Sequence, residues 1–423
     1  MWRSKFLAVA VALELLVAAS ALAVGHGEQS SSAAEPMTLA FWNGFTAADG
    51  DALRGIVKQW NVEKPKINIE MSVMVWTTFY DKLTAAIAAG RSPDLIAFHY
   101  DRIPEYVSRN QLLPLDEYVD RLGLKAEQYV ETAWNVGLYQ GKRYTVPLDW
   151  MPLIGLYYNK DHYASVGLNV DKPPTTLNEF VDYNKKLKID KRWGYMVSRG
   201  TPLARLYLSM IYQHGSALLS DDLKRSQVGS PAGLASAKIL HDFIYSQGIA
   251  PKETALGEED TAFKAGQLTH VMHHLAMSND YRGQTGLKIS YAPIPVFGKQ
   301  QGVYANCHQL AIPMPQKVDK RRVEGSLGFV RWLLAERGMD WAAAGQMPVR
   351  KDLLDSQEFK SRFDLHRAQA SMSPYLRFAP KTPKWGEVYA RIDPNIQGIL
   401  LNATTPEEGV AKMAKEMDAI LAK

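Results

Sequence analysis

The spacing of hydrophobic positions changes along the first hundred residues in the way that alternating strands and helices require. A short apolar run at 38–42 is followed by apolar residues at helical spacing in 53–60. Strict alternation at 67–75 indicates a strand, a second helical pattern ends at Gly90, and another apolar run covers 94–99. This order of strand, helix, strand, helix, strand predicts a mostly parallel sheet with helices on both faces. In such folds ligands bind at the carboxyl edge of the sheet.

The middle of the chain, at 146–161, has a different pattern. Polar and aromatic groups lie between Pro147 and Pro152, and an aromatic-rich apolar run follows, closed by Asn-Lys-Asp. That pattern is typical of an extended segment that ends in a turn, as where a chain passes from one lobe into another. A length of 423 residues is too great for one compact core and also predicts two lobes. Further along, the patterns predict helices from Leu177, near 203–214 and 231–247, and at 325–335 and 406–421, and strands at 268–272, 289–294 and 310–313.

The composition is that of an ordinary soluble globular protein. Hydrophobic residues make up 46 % of the chain and charged residues 22 %. The formal net charge of +5 is small and spread along the chain, and there is no basic run with interleaved aromatic residues, so nucleic acid is not expected as a partner. Cys307 is the only cysteine, which excludes an intramolecular disulfide.

The amino terminus has the features of an export signal. Arg3 and Lys5 precede an apolar run at 6–19, and residues 21–23 supply the small side chains that signal peptidase requires. We therefore predict a signal peptide at 1–23 and a disordered, Ser/Ala/Gly-rich lead-in at 24–36. Glu14 inside the apolar run argues against a membrane anchor, because a charge at a helix centre costs about 2.5–3.5 kcal/mol. No cysteine lies at the cleavage region for lipid attachment, so we expect an exported, soluble, periplasmic protein.

Several short motifs, taken together in their order, resemble one known family. Pro147-Leu148-Asp149, followed by Gly155-Leu156-Tyr157-Tyr158-Asn159, is similar to the signature of family 1 extracellular solute-binding proteins of ABC importers. Here five residues intervene where the signature has four, and Tyr163 replaces the usual aliphatic residue. Further similar pieces are PPTTLNEF at 173–180, AFKAG at 262–266, QLAIP at 309–313 and MPVR at 347–350.

The resemblance implies an α/β, two-lobed periplasmic-binding-protein fold of type II. Each lobe would hold a mixed, mostly parallel sheet flanked by helices, and crossing hinge segments would join the lobes. The expected N-terminal lobe is 37–147 plus 296–345, and the C-terminal lobe is 148–295 plus 346–423, with Pro293 and Pro295 near a second crossing. The implied function is that of a monomeric receptor, without a cofactor, that closes on a carbohydrate and delivers it to the transmembrane subunits of an ABC permease.

Candidate binding residues are aromatic and polar groups at strand ends, because sugars pack their C–H faces on rings and bond their hydroxyls to fixed donors and acceptors. For Asp101 the alternative role is a helix cap, for Asp149 a hinge hydrogen bond, and for Trp150 packing. The candidates from the first strands and the lobe crossing are Trp42, Asn43, Trp76, Tyr80, Asp101, Asp149 and Trp150.

Other candidates come from departures from the family pattern. Where many sugar binders have Gly-Pro-Trp, this chain has histidine at 273 and 274 and then LAMSN, and where many have an aromatic residue it has Asn306-Cys307-His308. We add Arg350 and Arg377, for which a salt bridge is the alternative and which an anionic sugar or phosphate ester would favour. The candidates added here are His274, Asn279, Asn306, His308, Arg350 and Arg377.

Two other functions stay open at this point. A glycerol phosphodiester or a uronate could replace the neutral sugar as the solute. A secreted carbohydrate-active hydrolase would need two carboxylates roughly 5–9.5 Å apart, which Asp101 and Asp149 could supply. Patterns for nucleophilic, Walker-type and dinucleotide sites are absent, so we expect no enzyme activity. Adjacent histidines on a strand point apart and no cysteine pair is present, so we expect no metal site.

Overall fold

The computed structural model describes residues 35–283 and 286–423, except the side chain of Ala48. The predicted signal peptide at 1–23 and nearly all of the predicted lead-in at 24–36 lie outside these residues. Within the described ranges, no helix has both the length and the apolar character needed to cross a membrane.

The described chain alternates between strands and helices as the hydrophobic spacing predicts. The strands are β1 Met37–Asn43, β2 Ile67–Val73, β3 Leu95–His99, β4 Leu138–Tyr139, β5 Lys142–Arg143, β6 Thr145–Pro147, β7 Met151–Pro152, β8 Gly155–Asn159, β9 Trp193–Tyr195, β10 Leu268–His273, β11 Ile289–Ala292, β12 Val303–Asn306, β13 His308–Ala311 and β14 Leu376–Arg377. The helices are α1 Ala48–Glu63, α2 Trp76–Ala88, α3 Ile103–Ser108, α4 Asp116–Arg121, α5 Glu131–Asn135, α6 Lys160–Ser165, α7 Leu177–Leu187, α8 Thr201–Gln213, α9 Pro231–Ile244, α10 Glu258–Lys264, α11 Ser278–Arg282, α12 Lys320–Glu336, α13 Gly338–Ala343, α14 Lys351–Asp355, α15 Gln357–Arg362, α16 Asp364–Ala370, α17 Trp385–Tyr389, α18 Ile392–Leu400 and α19 Pro406–Leu421.

The first sheet has five strands in the order β2-β1-β3-β13-β6. β1 and β3 are parallel, as predicted, and β13 runs antiparallel to both β3 and β6. The strand centres are apolar on both faces: Leu39, Phe41, Leu95 and Phe98 are all buried because helices cover the sheet. The polar ends of β1 and β3 are therefore the places where this sheet can offer side chains to a ligand.

The second sheet has four strands in the order β11-β8-β10-β9. Only β9 and β10 are parallel, whereas β8 is antiparallel to β10 and to β11. The expected predominance of parallel pairs is therefore wrong for this sheet. The reason is that β8 enters directly from the crossing segment at 146–161, rather than through a helix, and so runs against its neighbours.

Three passages of the chain lie side by side between the two sheets. Met151 of β7 pairs with Asn306 of β12, and Asp149 forms a bridge with Pro348. The prediction that 146–161 is an extended crossing is confirmed by β6, β7 and β8, which belong to three different sheets. Pro293 and Pro295 come before this crossing, because Val296 still pairs with Thr176 on the side of the second sheet.

Helix starts follow the capping residues in the sequence. Thr176, Ser230 and Thr405 accept hydrogen bonds from backbone N–H groups in the first turns of α7, α9 and α19. In α19 the cap is reciprocal, because the side chain of Glu408 also accepts from the backbone N–H of Thr405. The predicted range of 406–421 is confirmed without change.

Candidate functional site

An aromatic cluster lies where β1 and β3 end. Trp76, at the start of α2, packs directly over Gly44, where an added Cβ would lie 2.1 Å from its ring. The ring of Trp76 stacks on His308 with centroids 5.7 Å apart, and it also contacts His99 at 4.3 Å and Tyr80 at 6.0 Å. We call Trp76, Tyr80, His99 and His308 the aromatic cluster. Its rings have the flat faces on which a sugar packs.

The hydroxyl of Tyr80 is held inside this cluster. It shares a hydrogen bond with His99 Nδ1 at 2.7 Å and accepts one from the backbone N–H of His99 at 3.2 Å. The guanidinium of Arg102 lies 4.7 Å from the centroid of the Tyr80 ring and pairs with Glu105 at 3.2 Å. Tyr80 is therefore fixed in position by bonds to its hydroxyl and by contacts to its ring.

Asp149 sits at the centre of the crossing passages and is 0 % exposed. Its Oδ1 accepts from the backbone N–H of His308 at 2.9 Å, and its Oδ2 lies 2.8 Å from His308 Nδ1 and accepts from Trp341 Nε1 at 3.3 Å. Burial acts to lower the pKa of His308, but the charge and hydrogen bonds of Asp149 outweigh it, so that the pKa is raised. We call these groups the Asp149 network.

Trp150 is also 0 % exposed, and its Nε1 donates to the carbonyl of Pro348 at 3.1 Å. For both Asp149 and Trp150 the geometry is that of the alternative role, a hinge hydrogen bond and packing. Neither side chain reaches an open surface in this structure, so we do not include them in the proposed binding surface.

Asp101 contrasts with Asp149. It follows β3 in a single helical turn at Tyr100–Arg102, and its Oδ1 is buried without a hydrogen-bond partner in the described part of the chain. Burial raises its pKa, and the charge of Arg102 only partly offsets this. The alternative role as a helix cap is not observed, because α3 has no side-chain cap hydrogen bond. A buried carboxylate oxygen of this kind can accept a hydrogen bond from a hydroxyl group of a ligand.

The opposite wall comes from the second sheet and its helices. Arg205 on α8 has a buried Nε, and His274, after β10, has a buried Nδ1; neither atom has a partner within 35–283 and 286–423. The rings of His273 and His274 are 4.4 Å apart. Burial lowers the pKa of His274, and the charges of His273, Arg205 and His308 lower it further. Arg205, from this wall, and His308, from the first, both act on the imidazole of His274, so they lie near it; we call the region between the two walls the cleft.

The remaining predicted residues divide between the cleft and other places. Asn43 is buried, with Oδ1 accepting from the backbone N–H of Phe45 at 3.1 Å and Nδ2 unpartnered among the residues described. Trp42 is half-buried on β1, in register with Ile96. Asn306 accepts from the N–H of Cys307 at 2.7 Å, and Asn279 is exposed on α11.

The two predicted arginines lie in ordinary structural contacts. Arg350 forms an ion pair with Asp352 at 2.6 Å and bridges to Tyr129 through the backbone, which is the salt-bridge alternative. Arg377 on β14 is in register with Tyr304 and donates to the carbonyl of Leu376 at 3.0 Å. Neither has an unpartnered buried atom of the kind found at Arg205.

No group of three or more His, Cys, Asp or Glu side chains within the described ranges has an arrangement that could hold a metal ion. The unpartnered atoms around the cleft are instead a mixture of acceptors and donors. A small organic solute with several hydroxyl groups fits such a surface better than an ion does.

Comparison with known proteins then identifies the family. The model of the bacterial extracellular solute-binding protein family matches residues 46–340, which is most of the chain. The chain belongs to this family. A binding protein of Brucella abortus, whose name gives no solute, is 25 % identical over 391 residues, covering 90 % of this chain and 92 % of its own. The sn-glycerol-3-phosphate-binding periplasmic protein of Rhizobium meliloti is 28 % identical over 184 residues, but this covers only 42 % of this chain and 41 % of the relative.

Solved structures of solute-binding proteins share the fold of this one over nearly its whole length. The sugar-binding protein MalE of Xanthomonas citri has a TM-score of 0.80 at 19 % identity and covers 91 % of this chain and 98 % of its own. A solute-binding protein of Thermotoga lettingae, bound with α-D-tagatose, has a TM-score of 0.74 at 23 % identity and covers 91 % and 99 %. The two-lobed type II periplasmic-binding fold expected from the sequence is thereby confirmed.

The sequence did not single out every residue of the cleft of this solute-binding protein. His99, Arg205, His273 and Tyr389 are additions from the structure. Tyr389 lies within reach of Arg205, whose charge and hydrogen bond lower its pKa against the larger opposing effect of burial. Arg205 did have a sequence signal, because it is the one charged residue in α8, and its neighbours from Pro202 to Gln213 are buried.

Proposed function

We propose that this protein captures a carbohydrate in the cleft and delivers it unchanged to an ABC permease. The observation that carries the proposal is the set of buried polar atoms without protein partners around the aromatic cluster. Asp101 Oδ1 is an acceptor, Arg205 Nε and Asn43 Nδ2 are donors, and His274 Nδ1 can be either. Sugar hydroxyls donate and accept at once, so one solute can satisfy groups of both kinds.

The comparisons support the same class of solute. Neighbours that share the fold over more than nine tenths of this chain are named for tagatose, for cyclic maltosyl-maltose and for maltotriose. The relatives named for glycerol phosphate match only about two fifths of their length. We therefore favour a carbohydrate over a glycerol phosphodiester.

The mechanism is closure of two lobes about the crossing passages. We assign 37–147 plus 303–345 to one lobe and 148–302 plus 346–423 to the other, which moves the expected boundary at 296 because Val296 and Phe297 bond to Thr175 and Gln213. The Asp149 network would keep the crossing passages together while the walls with Asp101 and Arg205 move toward each other. A solute shifts the protein toward the closed form only by as much as it binds that form better, so the unpartnered atoms on both walls are the source of the shift.

The remaining parts of the proposal follow from this role. The protein would act in the periplasm after export, as a monomer, with the transmembrane subunits of an ABC permease as its protein partner. It would have no enzyme activity. A hydrolase needs two carboxylates at the scissile bond, and Asp149 has both oxygens bonded inside the crossing.

The test is calorimetry against hexoses, disaccharides, oligosaccharides, hexuronates and glycerol phosphates. We expect heat from at least one carbohydrate, with binding lost in Trp76→Ala and retained in the control Trp193→Ala, which alters a half-buried ring on β9. Recovery of the bound sugar unaltered after long incubation would agree with a carrier. Binding of glycerol phosphates alone, or release of a cleaved product, would overturn the proposal.

A further inference from the structure

Three imidazoles of the cleft are influenced by arginine side chains. His99, His273 and His274 are half-buried, and burial is the main reason that the pKa of each is lowered, in His273 to about 3. The charge of Arg205 lowers the pKa of all three further, and the charge of Arg102 acts on His99. A partly buried guanidinium near neutral imidazoles gives this part of the cleft a positive potential.

Arg205 acts on all three imidazoles and has no counter-ion among the residues that the structure describes. No carboxylate of the described residues lies within 4.0 Å of its guanidinium, whereas Arg102, Arg322, Arg337 and Arg350 each have one at 2.6–3.2 Å. Its Nε is buried without a partner among the described residues, and its guanidinium bonds to the hydroxyl of Tyr389. A partly buried guanidinium is costly to leave unpaired, so a partner is expected from outside the chain.

Asp101 brings a negative charge to the same cleft. Asp101 raises the pKa of Tyr80, Tyr100, Tyr304 and Tyr389, in each case after the larger effect of burial. Its unpartnered Oδ1 can accept hydroxyl hydrogens but would repel an anion. A solute that suits both groups presents hydroxyl groups to Asp101 and negative charge to Arg205.

We propose that the solute is an acidic carbohydrate whose carboxylate binds Arg205, with the imidazoles of His273 and His274 beside it. This inference rests on the proposed function and names its substrate class. A planar carboxylate matches the fork of a guanidinium and can take two of its hydrogen bonds, including the one from Nε. We favour a carboxylate over a phosphate because a phosphate monoester brings nearly two negative charges, whereas Arg205 is a single cation and Arg102 is already paired with Glu105.

The experiment compares matched pairs of ligands by calorimetry: glucose with glucuronate, galactose with galacturonate, and mannose with mannuronate. The 6-phosphate of each neutral sugar is measured as well. We expect the acid of at least one pair to bind about ten- to a hundredfold more tightly than its neutral partner, the range of a hydrogen bond to a charged group. Preference for a 6-phosphate would overturn the assignment of a carboxylate.

The variants test whether Arg205 is the source of the preference. Arg205→Gln should abolish it, and Arg205→Lys, which keeps the charge but loses the fork, should retain a reduced part of it. Arg199→Gln is the matched control, because Arg199 is bonded to Gln397 and does not act on the cleft imidazoles. A preference that survives in Arg205→Gln would overturn the inference. If Arg205→Gln does not fold, the reduced preference in Arg205→Lys decides the question.

The outcomes also separate this inference from the proposed function. Binding of the neutral sugars alone, with the acids excluded, removes the inference and leaves carbohydrate capture in place. Absence of binding by every pair, and by the wider panel described above, removes both.

Discussion

Two aspartates of this protein, Asp149 and Asp101, lie in neighbouring regions and have opposite surroundings. Asp149 is fully buried in the crossing passages, and both of its oxygens accept hydrogen bonds from His308 and Trp341. Asp101 lies at the wall of the cleft with a buried oxygen that no described residue satisfies. Residue type alone therefore does not identify a binding group. What separates the two roles is whether the protein itself already satisfies the polar atoms.

The largest expected effect is on stability, at Asp149. Asp149→Ala leaves the buried donors of His308 and Trp341 without an acceptor, and removing one partner of such a network typically costs about 3–5 kcal/mol. Urea unfolding followed by circular dichroism measures the loss. Asp149→Asn, which keeps the shape and one acceptor, should cost less. A change below about 1 kcal/mol in Asp149→Ala would mean that the network does not hold the crossing together.

The corresponding change at Asp101 should act on binding instead. Asp101→Asn removes a charged acceptor, so affinity for the solute should fall by about 1.5–3 kcal/mol. Stability should stay the same or rise, because a buried and unpaired charge is removed. Calorimetry and urea unfolding on the same sample give both numbers, with Asp352→Asn as the control for an acid outside the cleft. If Asp101→Asn instead lost stability and kept its affinity for the solute, Asp101 would have a structural role like that of Asp149.

Gly44 links the two regions through the ring of Trp76. A methyl group in Gly44→Ala would occupy the position of that ring, and forcing it away should cost about 1–3 kcal/mol of stability and weaken solute binding. Gly328→Ala in α12 is the control, because its Cβ would meet nothing within 4 Å and should stabilise the helix by about 0.5–1 kcal/mol. Unfolding midpoints that move in the same direction for both variants would contradict this account.

The two regions should also respond to pH with opposite sign. The folded-state pKa of His308 is raised, so its pairing with Asp149 contributes stability that is full below about pH 6.5 and is lost as pH rises through the folded pKa. The pKa of His274 is lowered, so its contribution is present above about pH 6.5 and is lost as pH falls. Each proton accounts for a slope of at most about 1.4 kcal/mol per pH unit.

Urea midpoints of two variants between pH 5 and pH 9 check this. His308→Gln should differ most from the parent protein at low pH and least at high pH. His274→Gln should become more stable relative to the parent as pH falls below about 6.5. Parallel curves for the two variants would show that the histidines are not in opposite electrostatic surroundings.

How much the sequence could predict follows from the range of the interactions concerned. The helix α19 and the crossing at 146–161 were predictable because caps, prolines and apolar spacing act over a few residues. The strand-end position of Trp76 and Asp101 was predictable for the same reason. The bonds of Asp149 to His308 and Trp341 were not, because those residues lie 159 and 192 positions away and only the tertiary fold brings them together.

The cleft was predicted less completely than the fold. Strand ends of the first sheet supplied candidates that lie at the proposed cleft, whereas the opposite wall depends on how α8 and β10 face that sheet. The sequence pattern does not predict Arg205 as a cleft residue, because arginine on a helix usually lies at the surface. The informative signal was its isolation among apolar neighbours in α8, which a pattern search for aromatic and acidic groups does not weigh.

The smallest expected effect separates a paired arginine from an unpaired one. Arg350→Gln breaks an ion pair with the exposed carboxylate of Asp352, which should cost less than about 1 kcal/mol, and solute affinity should not change. The same measurements on Arg205→Gln should show the reverse, with affinity lost and stability kept. If Arg350→Gln also abolished binding, an arginine paired with a carboxylate of the protein could bind the solute as well. A side chain whose polar atoms are already bonded within the protein would then not be a sign of a purely structural role, and the contrast between Asp149 and Asp101 would not hold for arginines.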